Sequence, residues 1–119
     1  MGVQMVVTIW RKDGMSREEF IDYWTKIHAP KLMNSVPALK KYVTKYTQHP
    51  LKSVETTSSE EPDGVAVFTA DSKEDLDMVF QSKEFFEHVA PDNENYVKEM
   101  KTIILSDDEM VTVYERDPK

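Results

Sequence analysis

The sequence predicts an α+β domain of ferredoxin-like arrangement, βαββαβ, with one antiparallel sheet and helices on a single face. Three observations carry this. Two stretches rich in β-branched residues, 3–12 and 64–70, are each followed by a capped amphipathic helical pattern and then by a further strand pattern. The chain has 119 residues, 39% of them hydrophobic and 31% charged, which suits one folded domain spanning 1–119. No internal linker or low-complexity tract divides the two halves.

The first strand pattern, 3–12, puts Val3, Met5, Val7 and Ile9 on one face and Gln4, Val6, Thr8 and Trp10 on the other. Apolar residues on both faces predict that both are covered. Asp13-Gly14 is a turn. Ser16 and Glu19 then form a capping box for a helix whose apolar positions are Phe20, Tyr23, Trp24 and Ile27. Pro30 has no N–H to donate, so this helix is expected to bend or stop near Ala29, with a shorter helical piece over 31–35. Residues 38–49 alternate and predict the second strand. Residues 50–63, rich in Ser, Thr and Glu, predict a mobile loop.

The third strand, GVAVFTA at 64–70, is apolar enough to be central. Asp71 and Ser72 offer N-caps to a helix carrying Leu76, Val79 and Phe80, and Ser82 recaps a run through Phe85, Phe86 and Val89. Pro91 interrupts that run, and Tyr96, Val97 and Met100 are expected to resume it. Residues 102–105 are the fourth strand, Asp107-Asp108 a turn, and 110–115 strand-like again. Helices on one side leave the sheet's other face bare around Val6 and Trp10. A second copy packed sheet against sheet is the economical cover, so a homodimer is expected.

A formal charge of −7 without a dense basic run argues against nucleic acid and against anionic membrane as partners. With no cysteine there is no disulfide, thiolate metal site or Cys nucleophile. The apolar run before Arg11 is too short for a signal segment or a membrane span, which predicts a soluble, cytoplasmic protein. Three glycines make no phosphate-binding loop, and His28, His49 and His88 lack metal-ligand spacing. Neither a nucleotide cofactor nor a metal is expected.

The chemistry is sought first at His28. Phe20, Trp24 and His28 recur every four residues and share an inward stripe, which puts the imidazole at the end of an apolar row. It is either a half-buried cap for carbonyls freed by Pro30 or a general acid/base in a cleft. His88 shares a face with Phe85, and Asp92, four residues on, would orient its ring if the helix survives Pro91. His49, beside Pro50, reads as a surface loop residue. Tyr23, Tyr42, Tyr46 and Tyr96 place hydroxyls on otherwise apolar faces, a composition that suits a flat phenolic ligand. Tyr23, Trp24, Tyr46, Phe85 and Asp92 are the expected substrate contacts, with His28 and His88 dividing proton transfer between them.

The string GMSREEFIDYWTKIHAPKL, followed by VPALKKYVTKY, resembles the opening half of EthD-domain proteins, members of the dimeric α+β barrel superfamily. The elements that match are Gly14-Met15-Ser16, Phe20, Tyr23-Trp24, His28-Ala29-Pro30 and Tyr42-Val43. The segment SKEFFEHVAPDNENYV is similar to the second half of fungal members. The resemblance implies a two-protomer barrel with each active site between the sheet and its own helices. It further implies a cofactor-free lyase, a decarboxylase or a dehydratase/cyclase, acting on an aromatic polyketide. The rival expectations are a cofactor-free anthrone-type monooxygenase and a non-enzymatic dimer that binds a small ligand.

Overall fold

In the computed structural model, which describes residues 2–52 and 61–117, β1 (Val3–Arg11) is an inner strand. It pairs antiparallel with β3 (Gly64–Ala70) on one side and with β4 (Val97–Ser106) on the other. Strand β2 (Val43–Pro50) pairs with β3, giving the order β2-β3-β1-β4. This is a four-stranded antiparallel sheet of ferredoxin-like topology. Its register sorts the side chains. Met5 lies opposite Phe68 and Ile104, and Val7 opposite Ala66 and Thr102, all on the face that the helices cover. Val6 lies opposite Val67 and Ile103 on the other face.

The caps form as the sequence predicts. Ser16 Oγ accepts from the Glu19 N–H, and Glu19 Oε1 accepts from the Ser16 N–H, both at 3.0 Å, at the start of α1 (Arg17–Tyr23). Gly14 turns the chain ahead of them at a φ of 86°, a conformation open to glycine. Pro30 does not end the helix. A π-helical turn, Trp24–His28, leads directly into α2 (Ala29–Ser35), and the Ala29 N–H bonds back to the Trp24 carbonyl. The wide turn has a geometric use. At about 100° per residue, a four-residue step overshoots one α-helical turn by about 40°, so Phe20, Trp24, His28 and Leu32 would drift around an α-helix. A π turn takes up that drift. All four side chains are buried, while Ile27, expected on the apolar stripe, is turned out and 48% exposed.

Three expected elements are corrected. Residues 38–42 begin not a strand but α3 (Pro37–Tyr42), since Pro37 sits in its first turn after an extended Val36. The strand starts only at Val43, and its register shifts directly afterwards, between Val43 and Lys45. Val97 and Met100 do not resume a helix. They belong to β4, where the long ladder with β1 outweighs an apolar spacing that either structure would tolerate. Residues 110–115 form no strand. They follow a 3₁₀ turn (Asp107–Glu109) as an exposed stretch, for β-propensity without an edge to pair with does not make a strand.

The second half keeps its expected caps. Ser72 accepts from the Asp75 N–H to start α4 (Lys73–Phe80), and Ser82 Oγ accepts from the Phe85 N–H ahead of a second π turn, Phe85–Val89. A 3₁₀ turn, Ala90–Asn95, then carries the chain into β4. The loop expected over 50–63 lies mostly outside the described residues, but its end is anchored. Asp63, 2% exposed, accepts from the Arg11 N–H at 2.8 Å and from the Arg11 and Arg17 guanidinium groups at 2.6 and 2.9 Å. Next to it, a Cβ on Gly64 would come within 2.5 Å of the Trp24 ring, so the absence of a side chain lets the indole pack against the β3 backbone.

Candidate functional site

His28 ends the first π turn and is 7% exposed. Its Nδ1 lies 3.0 Å from Oδ2 of Asp92, on the 3₁₀ turn after Pro91 and itself 3% exposed. The other oxygen, Oδ1, accepts from the Tyr23 hydroxyl at 2.5 Å, the Asn95 amide at 3.0 Å and the Lys31 ammonium at 3.1 Å. Burial opposes ionisation of Asp92. The hydrogen bonds from Tyr23, Asn95, His28 and Lys31 outweigh it and hold the carboxyl well below the usual carboxylate range.

An ionised Asp92 can only accept, so Nδ1 of His28 carries the proton and donates it. Burial pushes the His28 pKa below its ordinary value. Contact with Asp92 opposes that shift without cancelling it, and the nearby Lys31 charge adds to it. The ring is therefore neutral at pH 7, with its lone pair on Nε2. That atom has no hydrogen-bond partner among the described residues.

His28 borders a cavity of about 210 Å³ between the sheet and the helices. The floor is Met5, Val7 and Phe68, and the roof is Trp24 and Leu32. Phe80 and Phe85 close one end. Phe80 meets Phe68 and Phe85 edge-on at 5.0 and 5.2 Å, and Tyr46 stacks on Phe68 at 4.3 Å. Two tyrosine hydroxyls join this apolar lining. Burial raises the Tyr46 pKa to about 12, against a hydrogen bond from Gln48, and burial also raises that of Tyr96, so both remain protonated donors.

Of the expected site residues, His28, Trp24, Tyr46 and Phe85 line this cavity. Three others are corrected. His88 does not face His28. It is an exposed side chain whose nearest charged neighbour is Glu87 at 3.8 Å, because the π turn directs Phe85 and Val89 inward and His88 outward. Asp92 orients His28 rather than His88, and does so from behind the ring rather than from within the cavity. Tyr23 does not line the cavity either, as its hydroxyl is committed to Asp92 and Asn95. Lys31 and Asn95, which complete the carboxylate's shell, are not marked in the sequence, where Pro91 signals only an interruption of a helical run.

A wider, polar hollow of about 480 Å³ lies at the end of β1 around Arg11, Lys12 and Lys98. Its two arginines are engaged by Asp63, so they are not free for a substrate carboxylate. No helix among the described residues is long and apolar enough to cross a membrane.

The EthD domain model matches residues 12–99. No curated protein matches. Among solved structures, an ethyl tert-butyl ether D (EthD) family protein from Bacillus halodurans C-125 aligns with a TM-score of 0.66 at 15% identity, over 90% of this chain and 99% of that one. A hydroxynitrile lyase from Passiflora edulis aligns at 0.67 and 17% identity, over 93% and 97%. A dimeric ferredoxin-like protein of unknown function from Thermobifida fusca aligns at 0.64 and 11% identity, over 89% and 91%. At these identities the likeness to each structure is one of fold.

Proposed function

This chain belongs to the EthD domain family, and from that premise we propose that it is a cofactor-free lyase that works by proton transfer at His28 on an aromatic polyketide intermediate. The observation that carries the reading is the His28–Asp92 pair at 3.0 Å, which leaves Nε2 as a free base beside an apolar cavity. That one of the fold neighbours is a lyase is in keeping with it.

A neutral imidazole starts the cycle as a base, which favours elimination over decarboxylation. On a β-hydroxy ketone, Nε2 takes the proton from the carbon between the two oxygenated carbons. The electron pair passes into the carbonyl and then returns to form the C=C bond as the C–O bond breaks. The imidazolium gives its proton to the departing hydroxide, and water leaves. Asp92 stabilises the imidazolium between the two transfers. Loss of carbon dioxide would instead call for an acid from the outset.

The test is to supply β-hydroxy ketones and β-keto acids that carry an aromatic ring and to follow water loss, carbon dioxide release and oxygen uptake separately. The expected result is water loss with no oxygen consumed, and a rate unchanged in His88→Ala. Oxygen uptake in step with product would replace the lyase by the monooxygenase, and failure to turn over any carbonyl substrate would favour a binding protein.

The functional unit in this reading is a homodimer. Val6, Val65, Val67, Ile103 and Leu105 lie on the helix-free face of the sheet, with Ile103 and Leu105 59% and 50% exposed. A second copy facing this patch would remove it from water. Sedimentation equilibrium is expected to give twice the chain mass of 13.8 kDa; a single-chain mass at micromolar concentration would rule the dimer out.

A further inference from the structure

We propose that Tyr96 selects the ligand: the cavity takes a single-ring aromatic carbonyl compound whose oxygen accepts the hydrogen bond that the Tyr96 hydroxyl makes to no group among the described residues. This rests on the lyase reading only in naming that compound as the substrate, and its test reads binding alone.

Tyr96 is 0% exposed, and its hydroxyl is the one buried side-chain polar atom without a partner among the described residues. An unmatched buried hydroxyl is destabilising, and an apolar ring of the same shape would avoid the cost. The ring cannot swing to water to relieve it. Phe20, Tyr23 and His28 hold it at centroid distances of 5.8, 5.4 and 4.8 Å. Tyr96 borders the cavity with its hydroxyl covered by neighbouring side chains, so a ligand that shifts that cover is the available source of an acceptor.

The chemistry of the cavity sets the acceptor's class. Burial keeps the Tyr96 hydroxyl protonated, and Asp92 together with the other two tyrosines adds to that effect. Surroundings that resist a negative charge on Tyr96 resist one on the ligand as well, so a neutral oxygen fits and a carboxylate does not. The rings of Trp24, Tyr46, Phe68, Phe80 and Phe85 make the lining suit an aromatic body. The volume sets the size. An apolar cavity of about 150 Å³ admits benzene, and this one is about 210 Å³. That accommodates one ring with a short substituent between its walls, and three fused rings would extend out through its open side. Because the Tyr96 and His28 rings are neighbours, an oxygen held by Tyr96 would set the carbon next to its carbonyl beside Nε2.

Calorimetric titration of acetophenone, ethylbenzene and anthrone into the wild-type protein and Tyr96→Phe tests this. Acetophenone and ethylbenzene share a shape and differ in the oxygen; anthrone keeps a carbonyl and has three rings. The expected result is that wild type binds acetophenone and that Tyr96→Phe cuts the ratio of acetophenone to ethylbenzene affinity about tenfold, with Kd for ethylbenzene little changed. Anthrone binds at least about tenfold more weakly than acetophenone. The Tm of ligand-free Tyr96→Phe is equal to or above that of wild type, which also shows that the variant folds. An unchanged affinity ratio, equal loss of both single-ring compounds, no binding of acetophenone to wild type, or anthrone binding as tightly would each overturn the proposal. Binding as expected with no turnover of any carbonyl substrate would sink the lyase reading and leave the role of Tyr96 standing.

Discussion

His28→Gln is expected to lower turnover by about 10²- to 10⁴-fold with the fold intact. Glutamine can offer an amide N–H to Asp92 in place of Nδ1–H, so the buried carboxylate keeps a donor, but it has no basic nitrogen to face the cavity. The wild-type pH profile should carry the signature of the same group. Burial lowers the His28 pKa in the folded protein, so kcat/KM stays level as the pH falls to about 6.5, the value of free histidine, and drops only at more acid pH. The acidic limb disappears from the residual activity of His28→Gln. Stability follows in a defined direction. A depressed folded pKa means that the unfolded chain binds the proton first, so wild type loses stability as the pH falls below about 6.5 and goes on losing it until the folded-state pKa is reached. His28→Gln should flatten that part of the curve. Undiminished turnover in the variant, or an activity limb centred above the free-histidine value, would remove His28 from the chemistry.

The sequence was most legible where the determinants are local. The Ser16–Glu19 box, the Ser72 and Ser82 caps and the alternation over 64–70 each need only a few neighbouring residues, and each formed as expected. The four-residue spacing of Phe20, Trp24 and His28 also told the truth about burial, although it implied a π turn that an α-helical reading could not see. Legibility failed where two segments compete or meet. Residues 38–42 alternate like a strand, but Pro37 fixes a helical first turn and Leu39 buries on one side. Val97 and Met100 fit helix and strand alike until β1 supplies an edge. The site suffered most, because its central pair is made by residues 64 positions apart. Spacing along the chain coupled Asp92 with His88, four residues away. The 3₁₀ turn after Pro91 instead points the carboxylate inward, to a histidine on another element. An orphaned hydroxyl at Tyr96 leaves no trace in the sequence, since it is defined by what fails to surround it.

Two substitutions at Asp92 should separate what that carboxylate does for the fold from what it does for the chemistry. Asp92→Ala removes the acceptor shared by Tyr23, His28, Asn95 and Lys31. Lys31 is 37% exposed and can turn to water, so its share is small. The tyrosine and histidine donors are held in place and lose their partner. Breaking a buried charge cluster of this kind costs about 3–5 kcal/mol, which lowers Tm by roughly 10 °C or more. The pH dependence is fixed by the depressed carboxyl pKa. The stabilisation is full above about pH 4 and fades as the pH falls through the folded-state pKa, so wild type and Asp92→Ala should converge in acid. Asp92→Asn keeps the shape and one accepting oxygen for Tyr23, and so retains much of the stability. The amide nitrogen then faces Nδ1 of His28 and must donate to it, which moves the ring proton to Nε2 and turns the free base into a donor. Activity should fall by as much as about 10⁴-fold through this tautomer exchange, in a protein that melts close to wild type. If Asp92→Asn were as active as wild type, Nδ1–H would not be what fixes the base. If Asp92→Ala melted with wild type at neutral pH, the carboxylate would not be holding the site together.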